Sequence, residues 1–318
     1  MRIAIVGAGG VGGLLAGLLS RAGAEVAVLA RGPHADAIRA GGVRVDSPLG
    51  RFTAPIAAVA ADAATLGSAD AVLVAVKAWQ VAELAPSLRP LVAGGGVAVP
   101  LQNGVEAAGR LAAVLGDERV AGGLIAVLSW IDRPGAVKHV GGPPRVKLGE
   151  RGARAGRPSP RLDALAATLR AAGAEVEVVA DPERALWEKF LLIEPWGTIS
   201  AAARAPIGAV RSVPETRAIL IAAMEELARL ARARGVALPE DAVSRTLALI
   251  DAVPFEATAS MQRDLAAGRP SELGDQTGAV IRLAVEVGVD VPVHAVLHAA
   301  LLPQEAAARG AIARFQRT

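Results

Sequence analysis

At 318 residues the chain has room for about two domains and for a core that needs no covalent staple. With no Cys it has no disulfide framework, thiolate metal ligation, Fe–S cluster or cysteine nucleophile, and no metal site is expected from the remaining residues. The sequence pI of 9.9 accompanies a net charge of only +3, because thirty of the cations are Arg and no Tyr titrates in the alkaline range. With four Phe and four Trp as the only stacking platforms, nucleic acid is not an expected partner.

Residues 3–20 carry no charge and approach the length of a short membrane span or signal sequence. Glycines at 7, 9, 10, 12, 13 and 17 interrupt that run, so neither a membrane nor export is expected, and the working compartment is read as cytoplasmic. Arg2–Val6 (RIAIV) is a β-branched run suited to a buried parallel strand. Gly7, Ala8, Gly9, Gly10, Val11 and Gly12 follow, then leucines at helical spacing to a stop at Gly23, then a second strand at Glu25–Leu29. Strand, glycine turn, helix and strand in some thirty residues define a dinucleotide site. Gly7 serves the tight turn, Gly9 the approach of a pyrophosphate and Gly12 the close packing of helix on strand.

The end of the second strand selects the dinucleotide. An NAD site places an acid there for the ribose hydroxyl, whereas this chain reads Leu29-Ala30-Arg31-Gly32. Arg31 can pair with a 2′-phosphate, so NADP(H) is the expected cofactor. Further buried strands at Asp70–Val76 and Gly96–Pro100 end in Lys77 and in Gln102-Asn103-Gly104. Ligands of open α/β sheets lie beyond these carboxyl ends, which places Lys77 and Asn103, the sole Asn of the chain, at the same edge.

Strand patterns continue at 122–131, 137–139 and 145–149, followed by a helix at 161–172 and a last strand at 175–179. Asp181-Pro182 then reads as the N-cap and first position of a helix. The expected architecture is an α/β Rossmann-type doubly wound sheet over residues 1–180 and an all-α domain over 181–318 for substrate and dimerisation. In the helical half, Trp187, Phe190 and Leu191 form an apolar stripe that Lys189 lies beside. A lysine retained where nearly every other cation is Arg points to proton donation, although a solvated lysine is the bland alternative. Ser271 and Glu272 after Pro270 read either as a site or as the cap of a helix 273–287.

GAGGVG with Arg31-Gly32, VKAWQ at 76–80, QNG at 102–104, LWEK at 186–189, SMQRD at 260–264 and GRPSE at 268–272 together resemble the ketopantoate reductases, in order along nearly the whole chain. The resemblance implies NADPH-dependent reduction of 2-dehydropantoate to pantoate, on the route to pantothenate and coenzyme A. It further implies Lys189 as general acid, Glu272 and Asn103 beside it, Ser260 on the substrate, and Arg31 with Lys77 near the adenosine phosphate. The chain departs from the family where asparagines usually stand four and eight residues after the lysine: here Ile193 and Gly197 occupy them, with Glu194 and Pro195 between. That wall should be more apolar, Pro195 should disturb the helix, and a substrate altered near its hydroxyl end is expected. Two alternatives stay open: reduction of another 2-keto acid or an imine, and an NADPH-binding sensor without turnover. Apolar stripes at 219–230 and 277–287 make a homodimer plausible.

Overall fold

The computed structural model describes residues 1–313. The chain forms two compact units, Met1–Gln102 with Glu106–Ala185, and Asn103–Val105 with the chain from Leu186.

The first unit holds, in chain order, β1 (Arg2–Val6), α1 (Gly10–Arg21), β2 (Glu25–Leu29), α2 (Gly32–Gly41), β3 (Val43–Ser47), β4 (Gly50–Ala54), β5 (Ala58–Ala60) and β6 (Ala71–Val74). The one-turn helices α3 (Val81–Leu84) and α4 (Arg89–Val92) lead to β7 (Val97–Pro100) and α5 (Ala107–Leu115). Then come β8 (Ala121–Arg133), β9 (Ala136–Glu150), α6 (Pro160–Ala171) and β10 (Glu175–Val178).

Five strands in the order β5-β2-β1-β6-β7 make a wholly parallel sheet. Its order reverses between β1 and β6, the switch point at which such sheets bind ligands. Alternate residues of β1 feed two cores, Ile3 and Ile5 on one face and Ala4 and Val6 on the other. This is why RIAIV has no polar side to show.

A second sheet, β10-β9-β3-β4 with β8 paired to β9, packs on α1. A Cβ on Gly13 would come within 2.7 Å of Val137, one on Gly17 within 2.6 Å of Val45, and one on Gly10 within 2.4 Å of the Ser129 carbonyl oxygen. These glycines share one helix face, so the composition of α1 answers to two neighbours, the ligand edge at its N-terminus and a sheet along its flank. The strands expected separately at 137–139 and 145–149 are one, β9. Its pairing jumps from Leu128↔Val140 to Ala126↔Arg145, so Gly141–Pro144 bulges without ending the strand. Strands β3, β4 and β5 carried no sequence signal, being short and half exposed.

The second unit is helical: α7 (Pro182–Ala203), α8 (Ile207–Ser212), α9 (Pro214–Ala233), α10 (Ala242–Ala252), α11 (Ser260–Ala266), α12 (Thr277–Val287) and α13 (Pro292–Ala308). Asp181 caps α7, its carboxylate accepting from the Arg184 N–H at 2.9 Å. Trp187 and Phe190 are buried edge to face, ring centroids 5.9 Å apart, within the apolar core of this unit. Two expectations need correction. Helix α7 runs through Pro195 without interruption, and α12 begins at Thr277 rather than at 273. Among the described residues no helix is long and apolar enough to cross a membrane.

Candidate active site

At the ligand edge of the first unit, the Gly7 N–H donates to the Leu29 carbonyl at 2.9 Å and the Ala75 N–H to the Val6 carbonyl at 2.8 Å. The ends of β2, β1 and β6 are thereby held side by side. Gly7 has φ of 94°, and a Cβ there would strike Val76 at 2.7 Å. A Cβ on Gly12 would sit 1.9 Å from the Gly7 oxygen, so the turn and the helix require glycine at both positions. Gly9 is different: nothing lies within 4 Å of where its Cβ would stand. It is the N-cap of α1, with no side-chain cap and no acid in the first turn. The free N–H groups and the positive helix end therefore face open space, the arrangement a pyrophosphate needs.

Ala8 is buried and Val11 packs against the core, so these two residues of the loop hold it rather than face outward. Arg31 is exposed at the N-cap of α2, directly beyond β2. Lys77 follows β6 with its ammonium 5.8 Å from the Trp79 ring centroid. Gln102, given no role by the sequence reading, donates through Nε2 to the Val74 and Val76 carbonyls at 2.8 and 3.0 Å, while its buried Oε1 has no protein partner. An orphaned acceptor at this edge suits a bound amide. The residues present fit a dinucleotide.

In the second unit, Lys189 Nζ donates to Asn103 Oδ1 at 2.8 Å. Burial lowers the lysine pKa and the Glu272 carboxylate opposes the drop, leaving the ammonium at about 8. Gly104, with φ of 118°, lies so close to the Asp275 carbonyl that a Cβ would come within 2.9 Å of its oxygen. Only glycine lets the turn after Asn103 rest on the segment that carries Glu272. Glu272 is buried and accepts from Gln276 Nε2 at 3.4 Å. Its neighbour Ser271 donates its N–H and hydroxyl to the Glu305 carboxylate at 3.0 and 2.6 Å. Ser271 Oγ also accepts from the Leu273 N–H at 3.2 Å, which is a local turn rather than the helix cap the sequence allowed.

The structure thus brings Asn103, Lys189 and Glu272 together. Ser260 opens α11, between Ala259 and Met261. Those two neighbours lie 3.5 and 3.3 Å from where a Gly197 Cβ would stand. Met261 therefore covers the position an amide side chain would use, and Ile193 packs into the apolar core. The sequence reading missed a cluster on the same helix. Glu194, fully buried, lies between Thr198 and His294, and His294 reaches Glu226. A buried acid on α7 was visible only as an unexplained Glu beside Pro195.

Residues 3–153 match the family described as ketopantoate reductase PanE/ApbA, and residues 181–305 match its C-terminal counterpart. A 2-dehydropantoate 2-reductase of Halobacterium salinarum is 33% identical over 92% of this chain and 95% of its own length. One from Mesorhizobium japonicum is 31% identical over 98% and 99%. The crystal structure of a PanE/ApbA family ketopantoate reductase from Ralstonia eutropha superposes with a TM-score of 0.87 at 32% identity, covering 97% of this chain and 100% of that one. A Rossmann-type sheet followed by helices, with a lysine, an asparagine and a glutamate in one cluster, defines an α/β oxidoreductase. The chain belongs to the ketopantoate reductase family.

Proposed function

We propose that the protein reduces a 2-keto acid to a 2-hydroxy acid with NADPH, 2-dehydropantoate to pantoate being the reaction its relatives support, with Lys189 as general acid. The observation that carries this reading is the Lys189–Asn103 hydrogen bond beside Glu272. The first unit would bind the dinucleotide through Gly7–Gly12, with Arg31 and Lys77 on the 2′-phosphate side. The bound nicotinamide supplies the hydride to the C2 carbonyl carbon. Lys189, as ammonium, stabilises the charge growing on the carbonyl oxygen and delivers the proton to it, ending neutral. Asn103 keeps the ammonium aimed, and its amide N–H₂ remains able to donate to the substrate. Glu272 favours the charged lysine and can accept from a substrate hydroxyl. Ser260 would donate to the substrate carboxylate.

One observation favours a second reading of the substrate: Ile193, and Met261 over Gly197, offer no amide to a distal hydroxyl. A branched 2-keto acid without that hydroxyl fits such a wall better. The test is NADPH oxidation with 2-dehydropantoate, 2-ketoisovalerate and pyruvate, for wild type and Lys189→Ala. Turnover that falls about 10²–10⁴-fold in the variant supports the assignment of Lys189, and turnover indifferent to the lysine refutes it. Equal or faster reaction of 2-dehydropantoate removes the second reading. A homodimer completes the proposal, resting on the exposed Ile219 and Val285 of α9 and α12. Light scattering on the purified chain decides the dimer.

A further inference from the structure

A buried polar cluster of the second unit joins α7, α9, α12 and α13. Glu226 on α9 accepts from the Val293 and His294 N–H groups at 2.8 and 3.1 Å, capping α13, and its Oε2 lies 2.6 Å from His294 Nδ1. The other ring nitrogen, Nε2, lies 2.9 Å from Glu194 Oε2. Thr198 gives its proton to Glu194 Oε1 at 2.7 Å, its hydroxyl lies 2.7 Å from that of Thr277, and Thr277 also hydrogen-bonds Glu194. Glu194, Thr198, Thr277 and His294 have no solvent exposure. His298 also faces Glu194, whose charge raises its pKa, and Arg282 in turn faces His298 and lowers it.

The chain of contacts runs from α9 and α13 through Glu194 and Thr198, on the helix that carries Lys189, and ends on Thr277, the first residue of α12. Thr277 directly follows Gln276, whose side chain donates to Glu272 and whose N–H donates to the Glu272 carbonyl at 2.8 Å. On the other flank, Ser271 is fastened to Glu305, which Arg309 also contacts at 2.5 Å. Glu272 is therefore held from both sides, and its Gln276–Thr277 side is tied to the helix of Lys189. Burying two carboxylates and an imidazole in an apolar bundle is costly, and an apolar replacement would serve stability as well.

We infer that the Glu226–His294–Glu194–Thr198–Thr277 chain is a positioning device for the reaction, fixing the Glu272 segment against the Lys189 helix so that carboxylate and ammonium keep their separation. The inference rests on the roles proposed above for Lys189 and Glu272. Thr277→Val removes the hydroxyl that contacts Thr198 and Glu194 while leaving the Glu194–His294–Glu226 contacts in place, and Thr277→Ser keeps it. Because the chain has only four lysines, the titration of Lys189 can be followed directly by NMR of ¹³C-labelled lysine in the full-length protein. In Thr277→Val the lysine should titrate at lower pH than in wild type, as Glu272 loses its hold. kcat should fall roughly ten- to a hundredfold, the scale of a small misplacement. Thr277→Ser should recover both, and NADPH affinity should not change.

Thr198→Val is the second variant if the first does not fold. The inference is overturned if a folded valine variant keeps its lysine titration and kcat, if Ser fails to rescue, or if neither valine variant folds. Turnover independent of Lys189, with the titration still displaced in Thr277→Val, would instead overturn the functional reading and leave the positioning intact.

Discussion

Stability of the second unit should fall as pH rises from 6.5 to 8, because of His294. Burial alone would push the imidazole pKa down; the Glu194 charge and the hydrogen bonds to Glu194 and Glu226 overcome it and raise the pKa from 6.5 to about 9. A base whose folded pKa is raised stabilises fully below its unfolded value and loses that contribution as pH climbs through the folded one. At about 1.4 kcal/mol per pH unit, the whole effect is about 3 kcal/mol. About half, roughly 1–2 kcal/mol, disappears between pH 6.5 and 8. In thermal unfolding this corresponds to roughly 3–6 °C.

Lys189 acts in the opposite sense above pH 8: its pKa is lowered, so the cost of burying its charge is relieved as it loses its proton. The other three histidines have lowered pKa values and add small terms near pH 6.5. The informative quantity is therefore a difference, wild type minus the double variant Glu194→Gln with Glu226→Gln, in which the imidazole stays neutral and keeps amide partners. Melting followed by tryptophan fluorescence in both buffers gives it. A difference that stays constant or grows from pH 6.5 to 8 would falsify the charged state assigned to His294.

Two further expectations concern the proposed reaction. With Lys189 as the acid, kcat/KM for the keto acid should decline as pH rises through about 8; a kcat/KM profile flat to pH 9.5, a range spanning about 1.5 pH units above that pKa, would exclude the lysine as proton donor. Arg31→Ala should raise the KM for NADPH about ten- to a hundredfold with little change for NADH, the scale of one charge-assisted bidentate contact. Equal losses with both cofactors would place Arg31 away from the 2′-phosphate.

Much of the first unit was legible in the sequence because its signals are local. A strand buried on both faces needs continuous apolar residues, as in Arg2–Val6. A helix that must start on a tight turn against that strand needs glycine at 7 and 12, where any side chain collides with backbone or Val76. Lys189 and Asn103 also stood out singly, by residue type against a biased composition, whereas Glu272 was marked only by the family resemblance. What the sequence could not give was their distances. Asn103 and Lys189 are 86 residues apart and meet where Gly104 lets its turn lie against Asp275.

The same limit explains the misreadings. Gly13 and Gly17 counted in the sequence only as interruptions of an apolar run, yet with Gly10 they make room for a second sheet whose strands come from residues 43–54 and 121–178. Pro195 looked like a helix breaker, but packing of α7 in its core outweighs one lost backbone hydrogen bond. The Glu194–His294–Glu226 cluster gave no pattern at all, since its members are 32 and 68 residues apart in sequence. Chain-local rules set which segments could be strand, turn or helix. Only the tertiary fold decided which buried charges meet, because a charge can be sheltered from water only where distant segments bring it a partner.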